Sequence, residues 1–236
     1  DNVSLDYSGM PSVPSQRPIN IFEGWNWIGY LPQESMLADD ALASLPSVFG
    51  DYLKTLGSFA NYYDNYGWYG NSGFYVMLPG KGYTLLSTNP GTLTYPDGTS
   101  LVRSDVSERV KTHIDDKFDF NYAQYEFNGS VTAEIDIDDV SISEFDKLVA
   151  YIDGEIRGVT SPILFPLTGK YMFPIMIYSS FLEEEHMTFE YYNVSSNKYY
   201  TIEETMNFVS DMRRGNGLNA YVLHDANNDD NNFALT

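Results

Sequence analysis

The chain has 236 residues, 43% of them hydrophobic and 16% aromatic, with a formal net charge of −20. That composition can bury a core, and the length holds one large β domain or two of ordinary size. The charge argues against nucleic acid and disfavours anionic membranes as partners, since no basic stripe exists to displace counterions. The absence of cysteine (Cys 0) excludes disulfides, thiolate catalysis and Cys-based metal sites.

No run of about 18 apolar residues occurs, so membrane insertion by a helix is not expected. The opening Asp1-Asn2-Val3-Ser4 carries no signal-peptide pattern and fits either a processed, exported form or a trimmed one. Residues 1–18 read as a lead-in rich in proline, serine and glycine, although Val3, Leu5 and Tyr7 alternate with Ser4 and Asp6 as an edge strand would. Self-association by addition of that strand to a partner's sheet is one expectation that follows, together with the Phe233-Ala234-Leu235 tail.

Residues 19–97 read as an aromatic-rich β domain. Ile19 to Phe22 and Trp25 to Leu31 look like strands on either side of Gly24. Side chains alternate across a strand, so Trp25, Trp27 and Gly29 share one face, and Asn26, Ile28 and Tyr30 share the other. The tryptophan face is either the core of this domain or a platform for a ligand. Tryptophans bury well, which makes the core the expected place for Trp25 and Trp27. Ala38 to Leu45 is the expected short helix, with Asp39 and Asp40 at its positive end and Pro46 as its stop. Turn-broken strands follow, including Trp68-Tyr69 after the turn Asp64-Asn65-Tyr66-Gly67, and a type II turn at Pro79-Gly80.

Residues 98–117 are polar and read as a connection. Residues 118–224 alternate more cleanly and imply a β-sandwich, with residues 225–236 as an acidic, Asn-rich tail. Pro174, inside the apolar run Tyr171–Tyr178, removes a ladder donor and implies an edge or a bulge. The fold class expected is therefore mainly β: two β-rich domains, the second a β-sandwich, and one short helix in the first.

The runs Gly24-Trp25-Asn26-Trp27-Ile28-Gly29-Tyr30, Gly50-Asp51-Tyr52-Leu53-Lys54 and Leu78-Pro79-Gly80-Lys81-Gly82-Tyr83 resemble a module of large secreted proteins of Bacteroidetes-like organisms. The second half, through Asp153-Gly154-Glu155-Ile156-Arg157-Gly158, Gly169-Lys170-Tyr171 and Ala220-Tyr221-Val222-Leu223, resembles a module that accompanies it. The resemblance covers most of residues 19–223 and implies a non-catalytic module at the cell surface or outside the cell. The segment Ser179–Glu185 departs from it in bulk and acidity.

No nucleophile elbow, His-Glu-x-x-His motif or dinucleotide loop occurs, and His113, His186 and His224 are scattered, so no enzyme is expected. Aromatic rings beside planar polar groups suit saccharides instead. Trp68, Tyr69, Trp25, Tyr62, Asn65 and Asn71 are the candidate ligand contacts, with Trp68 and Tyr69 expected to project beside their turn. The partner class is a glycan or a surface polymer. No cofactor is needed, although Glu134, Asp136 and Asp138 on one strand face could hold Ca²⁺, as could Asp225, Asp229 and Asp230. A solvated acidic face is the plainer reading of both sets. Arg157 is expected to pair with a carboxylate and fix a turn.

Overall fold

The computed structural model describes residues 13–71, 73–97 and 116–227. The lead-in strand expected at Val3–Tyr7, most of the 98–117 connection with His113, and Asp229, Asp230 and Phe233-Ala234-Leu235 of the tail lie outside the described residues. What is described is mainly β, with one short α-helix.

Backbone proximity divides the described residues into two compact units, one from residues 13–53, 61–68 and 74–97, the other from 54–60, 69–71, 73 and 116–227. Two short pieces of the 19–97 segment thus pack with the second half of the chain, which simple alternation along that segment does not reveal. The reason is visible in their partners. Tyr69 donates its hydroxyl to the Leu164 carbonyl at 3.1 Å and meets the Phe165 ring edge-on at 5.5 Å. The Leu56 carbonyl accepts the Tyr178 hydroxyl at 2.8 Å, and buried Lys54 donates to Asn128 Oδ1 at 2.8 Å while pairing with Asp211.

The first half runs through β1 (Ile19–Ile21), β2 (Gly24–Gly29), β3 (Met36–Leu37), α1 (Ala38–Ala41), β4 (Tyr52–Lys54) and β5 (Phe59–Tyr63). It continues through β6 (Gly67–Gly70), β7 (Gly73–Phe74), β8 (Val76–Met77), β9 (Gly82–Ser87) and β10 (Gly91–Leu93). Six of these strands form one sheet in the order β2-β9-β4-β5-β6-β7, while β1 pairs β10 and β3 pairs β8. Strand β2 is therefore an edge of the large sheet among the described residues. The helix is shorter than the apolar stripe implies. Asp39 turns its carboxylate to the Trp68 amide at 3.0 Å, Ser44 accepts the Thr94 amide at 2.8 Å, and the chain leaves the helix at Leu42 to meet these neighbouring strands.

The second half supplies β11 (Phe127–Asp136), β12 (Lys147–Ile152), β13 (Glu155–Thr160), β14 (Ile163–Phe165) and β15 (Lys170–Ser179). It then adds β16 (Glu183–Asn193), β17 (Lys198–Thr201), β18 (Met206–Val209), β19 (Arg213–Arg214) and β20 (Tyr221–His224). One sheet has the order β14-β15-β11-β19, with β20 also on β11; the other has β13-β12-β16-β17, with β18 also on β16. Val131, Ile135, Phe173 and Ile175 from the first meet Ile152, Phe189, Tyr191 and Phe208 from the second in one buried core. Two sheets around one core make a sandwich-like unit.

Pro174 fits because β14 pairs β15 only as far as Met172. The Pro174 carbonyl accepts the Thr160 hydroxyl at 3.0 Å, so the missing N–H of this residue, on the same side, interrupts no ladder bond to β11.

Candidate functional site

Burial along β2 alternates, but in the sense opposite to that expected: Asn26 and Ile28 are buried, whereas Trp25 is 40% and Trp27 86% exposed. The side chain of Asn26 sets this parity. Its Oδ1 accepts the Phe22 amide at 2.9 Å, and its Nδ2 donates to the carbonyls of Phe22 at 2.8 Å and Gly24 at 2.9 Å. A left-handed Gly24 (φ 94°) lets the chain turn there without a Cβ clash. With the amide spent inward on its own turn, the two indoles are left on the outer face.

Register with β9 defines the rest of that face. Trp25 lies opposite Leu86, Trp27 opposite Thr84, and Gly29 opposite Gly82. Residues directly opposite share a face, so all six of these residues do, and none carries charge. Trp25 leans over β9 to meet the Tyr52 ring of β4 edge-on, with centroids 6.2 Å apart. No ring among the described residues pairs with Trp27. Beyond Trp27 the face is bare: a Cβ built on Gly29 would meet nothing within 4 Å, and one on Gly82 only the Ile28 carbonyl at 4.0 Å.

The same strand exposes main chain. The Tyr30 amide donates to the Lys81 carbonyl at 3.0 Å, which makes Tyr30 and Lys81 a hydrogen-bonded pair. Such pairs recur every second residue, so Ile28 and Asn26 bond to β9, while the N–H and C=O of Trp27 and Gly29 point away from it. An exposed indole, an open floor and outward amide groups therefore adjoin one another at a sheet edge.

The other expected contact residues are not assembled into a surface. Trp68 is 1% and Tyr69 8% exposed, which corrects the expectation that they project. All four residues of β6 are buried, because this strand lies inside the sheet between β5 and β7 and not at its rim. Trp68 packs edge-on against Tyr62 at 5.4 Å. Asn71 spends its amide on the backbone, accepting from Phe59 N at 3.1 Å and donating to Gly57 O at 3.4 Å. Asn65 sits at φ 61° in an exposed turn, where its role is conformational.

Among the described residues no three His, Asp or Glu side chains converge as a metal site would need. Glu134 is held by Lys170 at 2.6 Å, and Asp136 faces His224 Nε2 at 3.9 Å. His224 is fixed by Glu204, whose carboxylate accepts the His224 amide at 2.8 Å and lies 2.5 Å from its Nδ1. That hydrogen bond raises the His224 pKa above the ordinary imidazole value against a smaller opposing effect of burial, with the Glu204, Asp136 and Glu203 charges adding to it. Arg157 pairs with Glu155 at 3.3 Å and Glu185 at 3.6 Å and lies over the Tyr125 ring at 4.6 Å. It lies in β13 where the register with β12 shifts opposite Ala150 and Tyr151.

The chain matches no family model, no curated protein and no solved structure.

Proposed function

We propose that the chain is a non-catalytic extracellular module that binds saccharide through the Trp25–Trp27 face of β2. The observation that carries this reading is the 86% exposure of Trp27 on a sheet face whose six named residues are uncharged. Burying a large indole is favourable by kilocalories, so an indole left in water on an edge strand is an unspent source of binding energy. Sugar rings present C–H faces that cover an indole, and their hydroxyls match the outward N–H and C=O of Trp27 and Gly29. Stacking of this kind needs no cofactor. Calcium enters the reading only as a variable to be tested through the acidic β11 face.

The resemblance to modules of secreted surface proteins supports the extracellular setting, with a glycan or surface polymer as partner. The test is affinity electrophoresis through gels containing soluble glycans, with and without Ca²⁺, comparing wild type with Trp27→Ala. Retardation of the wild type that Trp27→Ala abolishes supports the reading. Equal retardation of both overturns it.

A second reading is favoured by one observation, the outward backbone groups of Trp27 and Gly29. An edge of this kind can accept another strand, which would make the chain a self-associating structural subunit or spacer. Light scattering over a concentration series separates the two: a mass that grows with concentration favours assembly, and a constant mass favours the ligand platform.

A further inference from the structure

Glycine in a sheet ladder contributes no side chain to packing and leaves the unfolded chain more freedom to lose, and Gly29, the last residue of β2, and Gly82, the first of β9, form the end pair of their ladder. The usual reasons for keeping one are a positive φ or a close approach of other atoms. Gly24, Gly67 and Gly80 have the first, at φ 94°, 103° and 72°, and Gly70 has the second, since a Cβ there would lie 1.8 Å from the Phe59 carbonyl. Gly29 and Gly82 have neither. Their φ values are not positive, and the Cβ positions are open. They are also directly opposite each other, so both absences fall on one spot. The bare spot adjoins the one fully displayed indole of the sheet.

We infer that the Gly29–Gly82 pair is the floor of a subsite for one ring of an electrically neutral saccharide, bounded on one side by the Trp27 indole. This rests on the saccharide reading given above and deepens it. A non-hydrogen-bonded antiparallel pair has Cα atoms about 4.5 Å apart, and Gly29 lies about 7 Å along the strand from Trp27. A sugar ring laid on that patch stacks a C–H face on the indole. Its hydroxyls reach the outward Gly29 N–H and C=O and the Thr84 hydroxyl across the strand. A branched side chain at either glycine would occupy the same space.

Neutrality follows from charge. Trp25, Trp27, Gly29, Gly82, Thr84 and Leu86 offer no cation to an acidic sugar, and the chain around them carries a net −20. Lys81 stands exposed in the turn before β9 and is not one of these six residues. A carboxylated or sulfated polymer would be repelled by the whole chain without local compensation.

The test uses the full chain, with Gly82→Val as the main variant and Gly29→Ala as a second, milder one. Melting temperature is measured alongside retardation in gels of hydroxyethylcellulose, xyloglucan, mannan and carboxymethylcellulose. The wild type is expected to be retarded by at least one neutral glycan and not by the carboxymethylated one. Gly82→Val is expected to melt at or above the wild-type temperature, because a β-branched residue suits a strand, yet to bind at least tenfold more weakly. Should that variant fail to fold, Gly29→Ala carries the same expectation with a loss of about threefold. Loss of binding in Trp27→Ala with wild-type binding in the glycine variants overturns the floor while leaving the saccharide reading intact. Equal retardation by carboxymethylcellulose and hydroxyethylcellulose overturns the neutrality. A wild type retarded by none of the four overturns the saccharide reading and the inference with it.

Discussion

Trp25 and Trp27 stand two residues apart on one face of one strand, yet Trp27 is 86% exposed and Trp25 only 40%. Tyr52 takes the Trp25 ring edge-on at 6.2 Å, and no ring among the described residues does the same for Trp27. One indole is thus partly spent on the fold and the other is held in reserve. Trp27→Ala is expected to change unfolding free energy by no more than about 0.5 kcal/mol, as exposed substitutions do. Trp25→Ala is expected to cost about 1 kcal/mol or more through the lost aromatic pair. Urea denaturation of both variants reads the difference, and equal losses would contradict the assignment of separate roles.

Trp68 is the counter-case. It is 1% exposed, packs on Tyr62 and donates its backbone amide to Asp39. Truncation to alanine is expected to cost about 3–5 kcal/mol, the range for a large buried aromatic. A denaturation midpoint within error of wild type would show that the ring is not buried.

Among the described residues the buried Tyr95 hydroxyl meets no hydrogen-bond partner, and its ring contacts Tyr30 at 5.4 Å. Burial, followed by the neighbouring Tyr30 and Tyr83, pushes its phenol far above the ordinary value, so it stays neutral at any physiological pH. An unsatisfied buried hydroxyl costs about 1–3 kcal/mol, while the ring itself packs well. Tyr95→Phe is therefore expected to leave stability unchanged or raise it by about 1 kcal/mol. A loss greater than 1 kcal/mol in thermal melts would mean the hydroxyl has a partner.

His224 ties β20 to its surroundings through Glu204 and faces Asp136. Its folded pKa is raised, so its contribution is fully present below the unfolded imidazole value near 6.5 and is lost as pH rises through the raised folded value. The side chain is 47% exposed, so the effect is modest and screened by salt. The stability difference between wild type and His224→Gln is expected to shrink between neutral and mildly alkaline pH. A difference that is flat with pH, or that grows toward alkaline pH, would exclude a raised pKa.

Much of the architecture is legible in the residues. Alternation from Val131 to Ile137 and the apolar run Tyr171–Tyr178 mark β11 and β15, and the turn at Asp153-Gly154 marks a hairpin. The sharing of a face by Trp25, Trp27 and Gly29 is equally legible. Which of two faces is buried is not, because period-2 alternation is symmetric and the tie is broken by Asn26 hydrogen-bonding its own turn. Propensity favours burying tryptophan, and that preference lost to a local polar lock. Trp68 misled for a related reason: a turn beside a strand start suggests a rim, but sheet order places β6 between two neighbours. Non-local facts of this kind, including the pairing of Gly29 with Gly82 and the packing of Leu56 and Tyr69 with the second half, are carried by register and topology rather than by any single stretch.

The most direct test of the central claim is the dissociation constant of a neutral glycan for wild type and Trp27→Ala, both shown to be folded, by titration calorimetry on the best ligand from the gel screen. The expected result is a loss of about tenfold, the equivalent of roughly 1.4 kcal/mol from one exposed ring, at unchanged melting temperature. Equal dissociation constants for the two proteins would contradict it.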